Sequence, residues 1–257
     1  MNFFKKFRNI GRWHQLMYSV YILTLIGLVV YPWTWLVWAL VFFVPMYHAI
    51  SVIAHDYICH NYIRPRNKLF EILCLGFFLI LLGETLLSKK NYHIHHHRYW
   101  NTDDDPTQAR LKNNSLITYI LELYQTPFNK PIDQVANRLS TDIEIWFEEH
   151  TRLVFYVGIV LSFILMPLWL FVVLHVYCRF LLFVGSKAEE YYFHKTISTD
   201  LSKDKSFLVI FIGGSAWHSY HHIYREKPFY GDGIWKYLNL SWYFTKFMFA
   251  ENKSNIY

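Results

Sequence analysis

The sequence predicts an all-α integral membrane protein: four transmembrane helices in two hairpins, one interfacial or re-entrant helix, and a helical cap on the cytoplasmic side. Three observations carry this. Hydrophobic residues make up 54% of the 257 residues and aromatics 20%, while charged residues fall to 17%, a balance tilted away from soluble domains. Two long apolar stretches, about 16–54 and 153–192, are each too long for one span of about 20 residues and each is broken by a proline, Pro32 and Pro167. Neither proline-containing turn carries Lys or Arg, whereas Lys5, Lys6, Arg8, Arg12, Arg64, Arg66, Lys68, Lys89, Lys90, Arg98 and Arg110 flank the other ends.

In the first hairpin, Leu16–Tyr31 and Leu36–Ala54 are the two helices, with a tight turn near Tyr31–Trp35. In the second, Leu153–Met166 and Leu168–Tyr192 are joined at Pro167, which cannot continue a helix undisturbed. The positive-inside rule then places both termini in the cytoplasm. The basic, aromatic segment Met1–His14 reads as a cytoplasmic interfacial stretch, and no cleavable signal pattern is expected. The chain is expected to form a single domain over 1–257, with no internal repeat.

Leu69–Leu87 is apolar and nearly long enough to cross, yet it contains Glu71, Gly76, Gly83 and Glu84. It is read as a re-entrant or interfacial helix, because crossing would separate two histidine clusters that belong together.

Those clusters are His55-x4-His60, His93-x-x-His96-His97 and His218-x-x-His221-His222. Positions i, i+3 and i+4 share one helix face, so each H-x-x-H-H triad aims three imidazoles one way. Imidazole binds Fe, Zn, Cu and Ni. Three cysteines, Cys59, Cys74 and Cys178, form no C-x-x-C pair, which argues against a disulfide framework, a zinc ribbon or a ligated iron–sulfur cluster. Eight nitrogen donors suit two ions, and iron suits oxygen chemistry beside lipid.

The order H-x4-H, H-x2-HH, H-x2-HH resembles the membrane fatty acid desaturase superfamily, most closely its acyl-CoA Δ9 (stearoyl-CoA type) branch. His93–Pro106 reads H-I-H-H-H-R-Y-W-N-T-D-D-D-P, close to that branch's H-R-x-H-H-R-Y-x-D-T-x-x-D-P, and Trp217–His222 reads W-H-S-Y-H-H. The resemblance implies two irons held by His55, His60, His93, His96, His97, His218, His221 and His222, with Asp103 and Asp105 orienting imidazoles. His95 is extra to the pattern and is not expected to be a ligand. The family's ninth ligand is a histidine in a pattern like N-S-x-x-H. Here Gly185-Ser186-Lys187-Ala188-Glu189 stands in its place, so Glu189 is the expected ninth ligand, with Glu190 and His194 as rivals. A second departure is Ser215, where the family carries a glutamate.

The resemblance further implies an O2-dependent oxidoreductase that inserts a double bond into a fatty acyl chain carried by coenzyme A, a carrier protein or a lipid. A hydroxylase or ketolase acting on an acyl chain, alkane or carotenoid is the alternative, and a non-catalytic metal-binding membrane protein is a third. Lys89, Lys90, Arg98 and Arg110 are read as positive-inside charges before they are read as a phosphate site. With no electron-transfer domain expected in this chain, a separate donor such as a ferredoxin, or cytochrome b5 with its reductase, is expected. Membrane lipid is the other partner, and no nucleic-acid partner is expected.

Overall fold

The structure is a computed structural model describing residues 33–100, 102, 104, 105, 107, 115, 116, 140–194, 204–225 and 228–251. The predicted helix Leu16–Tyr31 and the residue Asp103 lie outside these. Helix α1 spans Trp33–Ser51 and runs on without a break as a π-helix, Val52–Cys59. Residues 33–35 are therefore helical, not part of a turn. Pro45 is accommodated inside α1.

Beyond the first histidine cluster a short strand, β1 (Ile63–Pro65), leads to α2 (Lys68–Leu82). Asn67 caps α2, its side chain accepting from the Phe70 amide. Gly83, with φ +66°, ends it in the left-handed conformation that glycine tolerates without strain. The chain then turns through 84° into α3 (Leu86–Tyr99). The single re-entrant helix expected over Leu69–Leu87 is thus two helices, broken where Gly83, Glu84 and Thr85 interrupt the apolar run.

Helix α4 (Asp142–Glu149) opens with a capping box, Thr141 with Glu144. It is followed by α5 (Thr151–Leu165), then α6 (Leu168–Val172), a π-helical segment Val173–Cys178, and α7 (Arg179–His194). The break between α5 and α6 falls at Pro167, as expected. Ring contacts between Phe163 and Phe171, at 5.3 Å, and between Arg179 and the Phe155 ring, at 5.1 Å, show the two arms folded back on each other. Gly158 lets α5 lie against α2, since a Cβ there would stand 2.3 Å from Ile80.

Two helices are long and apolar enough to cross a membrane, Val37–Cys59 and Leu168–His194, and the bent pair α2–α3 makes up to three. Their outward faces carry large exposed apolar side chains such as Trp38, Val41, Leu69, Leu73 and Leu168. Short helical pieces, Ser206–Leu208, Val209–Ile212 and Gly213–Trp217, lead into α8 (His218–Ile223), followed by α9 (Gly233–Tyr237), α10 (Leu240–Met248) and β2 (Phe249–Glu251). Strand β2 pairs antiparallel with β1, tying this part of the chain to the segment after the first histidine cluster.

Two buried polar contacts hold the bend. Lys90 on α3 pairs with Glu144 on α4 at 2.9 Å, both 1% exposed, and also reaches Ser140. This removes Lys90 from any surface role. Arg179, 2% exposed, donates to the Ile80 carbonyl in the last turn of α2. A helix leaves its last four carbonyls without intrahelical donors, and a cation there also meets the negative end of the dipole. We expect Arg179→Met to leave that carbonyl without its donor and to cost about 2 kcal/mol, with Arg179→Lys retaining part of the loss. Unfolding midpoints in detergent check this.

Candidate metal centre

The first cluster owes its geometry to the π-helix. A π-turn bonds residue i to i+5, and the His60 amide donates to the His55 carbonyl at 2.9 Å. The x4 spacing therefore stacks His55 and His60 one turn apart, with ring centroids separated by 4.5 Å. His93, His96 and His97 lie on α3, and His218, His221 and His222 on α8. Helix α8 is aimed by Asp204, whose carboxylate accepts from the amides of Ser219 and Tyr220, each at 2.9 Å. That loop aspartate was not singled out in the sequence.

Nine imidazoles converge in two groups. His55, His60, His93, His97 and His221 form one, and His96, His194, His218 and His222 the other, with the ligand atoms of each group within 4.8 Å of one another. The triads do not each aim one way. Within α3, His93 and His97 face the first group while His96 faces the second. Within α8, His218 and His222 face the second group while His221 faces the first. Adjacent residues on a helix differ by about 100°, so each His-His pair addresses both groups. The groups touch, with His97 stacked on His222 at 4.6 Å between centroids.

His194 occupies the place in the second group where Glu189 was expected. Glu189 belongs to neither group and accepts instead from the Tyr47 hydroxyl on α1. Glu190 lies elsewhere again, accepting from Tyr92 at 2.9 Å and from Lys187 at 2.8 Å. His95 is in neither group and stacks on Tyr99. Asp105, fully buried, accepts from His96 Nδ1 at 2.9 Å and from the Thr107 amide. Asp56, missed in the sequence although it adjoins His55, accepts from His55 Nδ1 at 2.8 Å and from the Tyr230 hydroxyl at 2.7 Å. Tyr62 stacks on His60, and Trp100 on His222.

These partners fix tautomers, because a neutral imidazole carries one N–H. His194 Nδ1 faces the Glu190 carbonyl oxygen at 2.8 Å, which can only accept. His96 Nδ1 faces a carboxylate. Both Nε2 atoms are then lone pairs, and they lie 2.9 Å apart. His55 Nε2, also a lone pair by the same reasoning, faces His221 Nε2 at 3.1 Å. Facing lone pairs repel unless a proton or a metal cation lies among them. Burial opposes the proton: it holds His60, His218, His221 and His222 well below the ordinary imidazole range, and the neighbouring imidazoles push further the same way. The donor set therefore fits a transition-metal cation at each group.

A membrane protein with two adjoining all-imidazole groups that could hold metal is thus the class that fold and site define. The family model for fatty acid desaturase matches residues 32–231, and the chain belongs to that family. Membership makes it an oxidoreductase whose substrates are fatty acyl chains and which draws on an electron donor. No curated protein matches it in sequence.

A pH dependence follows. The histidines with depressed values stay neutral when folded, while the unfolded chain takes up protons below about pH 6.5. Stability is thus fully present above that pH and is lost as pH falls below it, and protons compete with metal over the same range. We expect the thermal unfolding midpoint in detergent to fall on acidification from pH 7.5 to 5.5, and metal release to follow the same profile.

Proposed function

We propose that this chain is an O2-dependent di-iron oxidoreductase that inserts a double bond into a fatty acyl chain, in the manner of the acyl-CoA Δ9 branch it resembles. The observation that carries the proposal is the pair of contiguous histidine groups, which among the described residues bring together nine imidazoles and no carboxylate or thiolate. His55, His60, His93, His97 and His221 would hold one iron, and His96, His194, His218 and His222 the other, so His194 replaces Glu189 as ninth ligand. When bound, the two irons supply O2 reduction and hydrogen abstraction from an unactivated C–H bond, chemistry that side chains alone do not perform.

The protein's part is orientation and exclusion of water. Asp56 and Asp105 hold the Nδ1 protons of His55 and His96 so that Nε2 points inward. Stacked Tyr62 and Trp100 fix ring planes. His55 of the first group is partly open, its side chain 27% exposed, and we read this as a side from which substrate and O2 gain access.

We read the topology as two hairpins, 16–31 with α1 and α5 with α6–α7, with the α2–α3 bend as a re-entrant element and a cytoplasmic cap. The apolar turns at the hairpin tips and the basic opposite ends support it, as does the meeting of His60 and His93 at 2.7 Å on one side. Both termini and the metal centre then face the cytoplasm, and the chain acts as one domain. The acyl headgroup is coenzyme A, a carrier protein or a lipid. A separate acidic donor, a ferredoxin or cytochrome b5, supplies electrons.

Two measurements test the reading. Protein purified without chelator should contain one iron per histidine group, two per chain. His194→Ala should lose the second iron while Glu189→Ala keeps both, and the reverse result would return the ninth ligand to Glu189. Expression in a host lacking desaturases should yield new double bonds in its acyl lipids. A single zinc per chain would sink the di-iron reading, and new hydroxyl groups without double bonds would move it to a hydroxylase.

A further inference from the structure

The carboxylate behind His55 has a second partner from a distant part of the chain. Asp56 accepts from His55 Nδ1 at 2.8 Å through Oδ1, and from the Tyr230 hydroxyl at 2.7 Å through Oδ2. The Tyr230 oxygen in turn accepts from Thr245 on α10 at 3.1 Å. Hydrogen bonds therefore run without a gap from α10 to a histidine of the first group.

The placement of Tyr230 is built into the fold. Its carbonyl accepts from the side chain of fully buried Asn239 at 3.1 Å. Next to it, Gly231 has φ +103°, and a Cβ there would stand 2.4 Å from the Trp217 ring. Backbone and packing both call for glycine. The loop that carries Tyr230 is thus seated on Trp217, the residue immediately before His218.

Asp56 does not need Tyr230 to find His55. The two are neighbours in the π-helix Val52–Cys59, so the main chain sets their approach. What the phenol changes is the charge on the carboxylate. A carboxylate that accepts an imidazole N–H raises the basicity of the opposite nitrogen. A strong donor on its other oxygen draws charge away and weakens that effect, and the bond from Thr245 polarises the phenol further in the same sense. The second group is served differently. Asp105 accepts from His96 and from the Thr107 main-chain amide through the same Oδ1, and its Oδ2 is buried with no hydrogen-bond partner among the described residues.

On the di-iron reading, on which this rests, we infer that Tyr230 is a positioning residue for the first histidine group: acting through Asp56, it lowers the basicity of His55 Nε2 and makes the iron held there easier to reduce. A less basic ligand stabilises iron(III) less, so the site takes its electron from the donor protein at a higher potential. The more readily reduced iron is then the one beside partly open His55, on the side read above as the entry for O2.

The test compares wild type, Tyr230→Phe, Thr245→Val and Asp56→Asn, each alone and combined with His194→Ala, which is expected to leave iron in the first group only. Redox titration followed by Mössbauer spectroscopy should show the first-group potential falling in Tyr230→Phe, and falling less in Thr245→Val, with iron content kept. Added to Asp56→Asn, Tyr230→Phe should have no further effect, because the carboxylate it acts through is gone. Cobalt(II) titration of the iron-free protein reads the same basicity without O2 or electron transfer. Asp56→Asn should weaken cobalt binding at the first group by about 10-fold, whereas Tyr230→Phe should strengthen it. An unchanged or raised potential in Tyr230→Phe, unchanged or weaker cobalt binding, or loss of iron would overturn the inference and leave Tyr230 a contact of the fold. A wild type that forms no iron-dependent product sinks the functional reading instead, and the cobalt titration then decides the role of Tyr230 on its own.

Discussion

Everything in this structure answers to the mutual repulsion of nitrogen lone pairs. His96, His194 and His55 each commit Nδ1 to an acceptor and turn Nε2 inward, toward another Nε2 at about 3 Å. Neighbouring imidazoles can relieve part of that crowding with an Nε2 proton, as His218 can toward His194 at 2.8 Å, but the facing pair of His96 and His194 is held in place by the rest of the fold. The buried pair of Lys90 with Glu144 fixes α3 one turn before His93. Asp204 fixes α8 at its first amides. Arg225 bonds the His97 carbonyl at 2.9 Å, joining the end of α3 to the segment after α8. Strands β1 and β2 pair beyond the first cluster. Each contact ties a histidine-bearing segment, or the chain next to one, to another part of the fold, and the Arg225 bond joins two of them directly, which a site assembled from four separate segments requires.

Helical pitch is the second constraint. Both long apolar helices contain a π-helical segment, Val52–Cys59 and Val173–Cys178. Such segments are uncommon and gather at functional sites. The first brings His55 and His60 onto one face, which an α-helix does not do for residues five apart. The second inserts extra length per turn before α7, so every side chain from Arg179 onward is rotated from where a uniform helix would put it. That rotation decides which of Glu189, Glu190 and His194 faces the histidines.

This explains how far the sequence could be read. The eight box histidines were legible because their spacing encodes chemistry directly, and the break at Pro167 was legible because proline acts locally. Glu189 was chosen by matching a motif along the chain, a procedure blind to the phase shift that Val173–Cys178 introduces. The break at Gly83 was present in the composition, yet apolar length alone read the segment as one helix. Asp56 and Asp204 each act through one carboxylate, with no periodic pattern, so Asp56 left no trace beyond its place next to His55 and Asp204 left none. The division of each His-His pair between two groups was implicit in the 100° step of the helix. It becomes visible only when two helices, α3 and α8, face each other.

The division has an electrostatic consequence. Both groups are built from neutral donors alone, so cations bound there keep their full charge against a buried, low-dielectric surround. The compensation sits one bond further out, and it is shared evenly. Asp56 lies behind His55 of the first group, and Asp105 behind His96 of the second. A carboxylate accepting an imidazole N–H raises the basicity of the opposite nitrogen. Each group thus receives one anionic partner without surrendering a coordination position to it. On the di-iron reading, this arrangement favours the reduced ions that must meet O2, because oxidation adds charge that two distant carboxylates offset only in part.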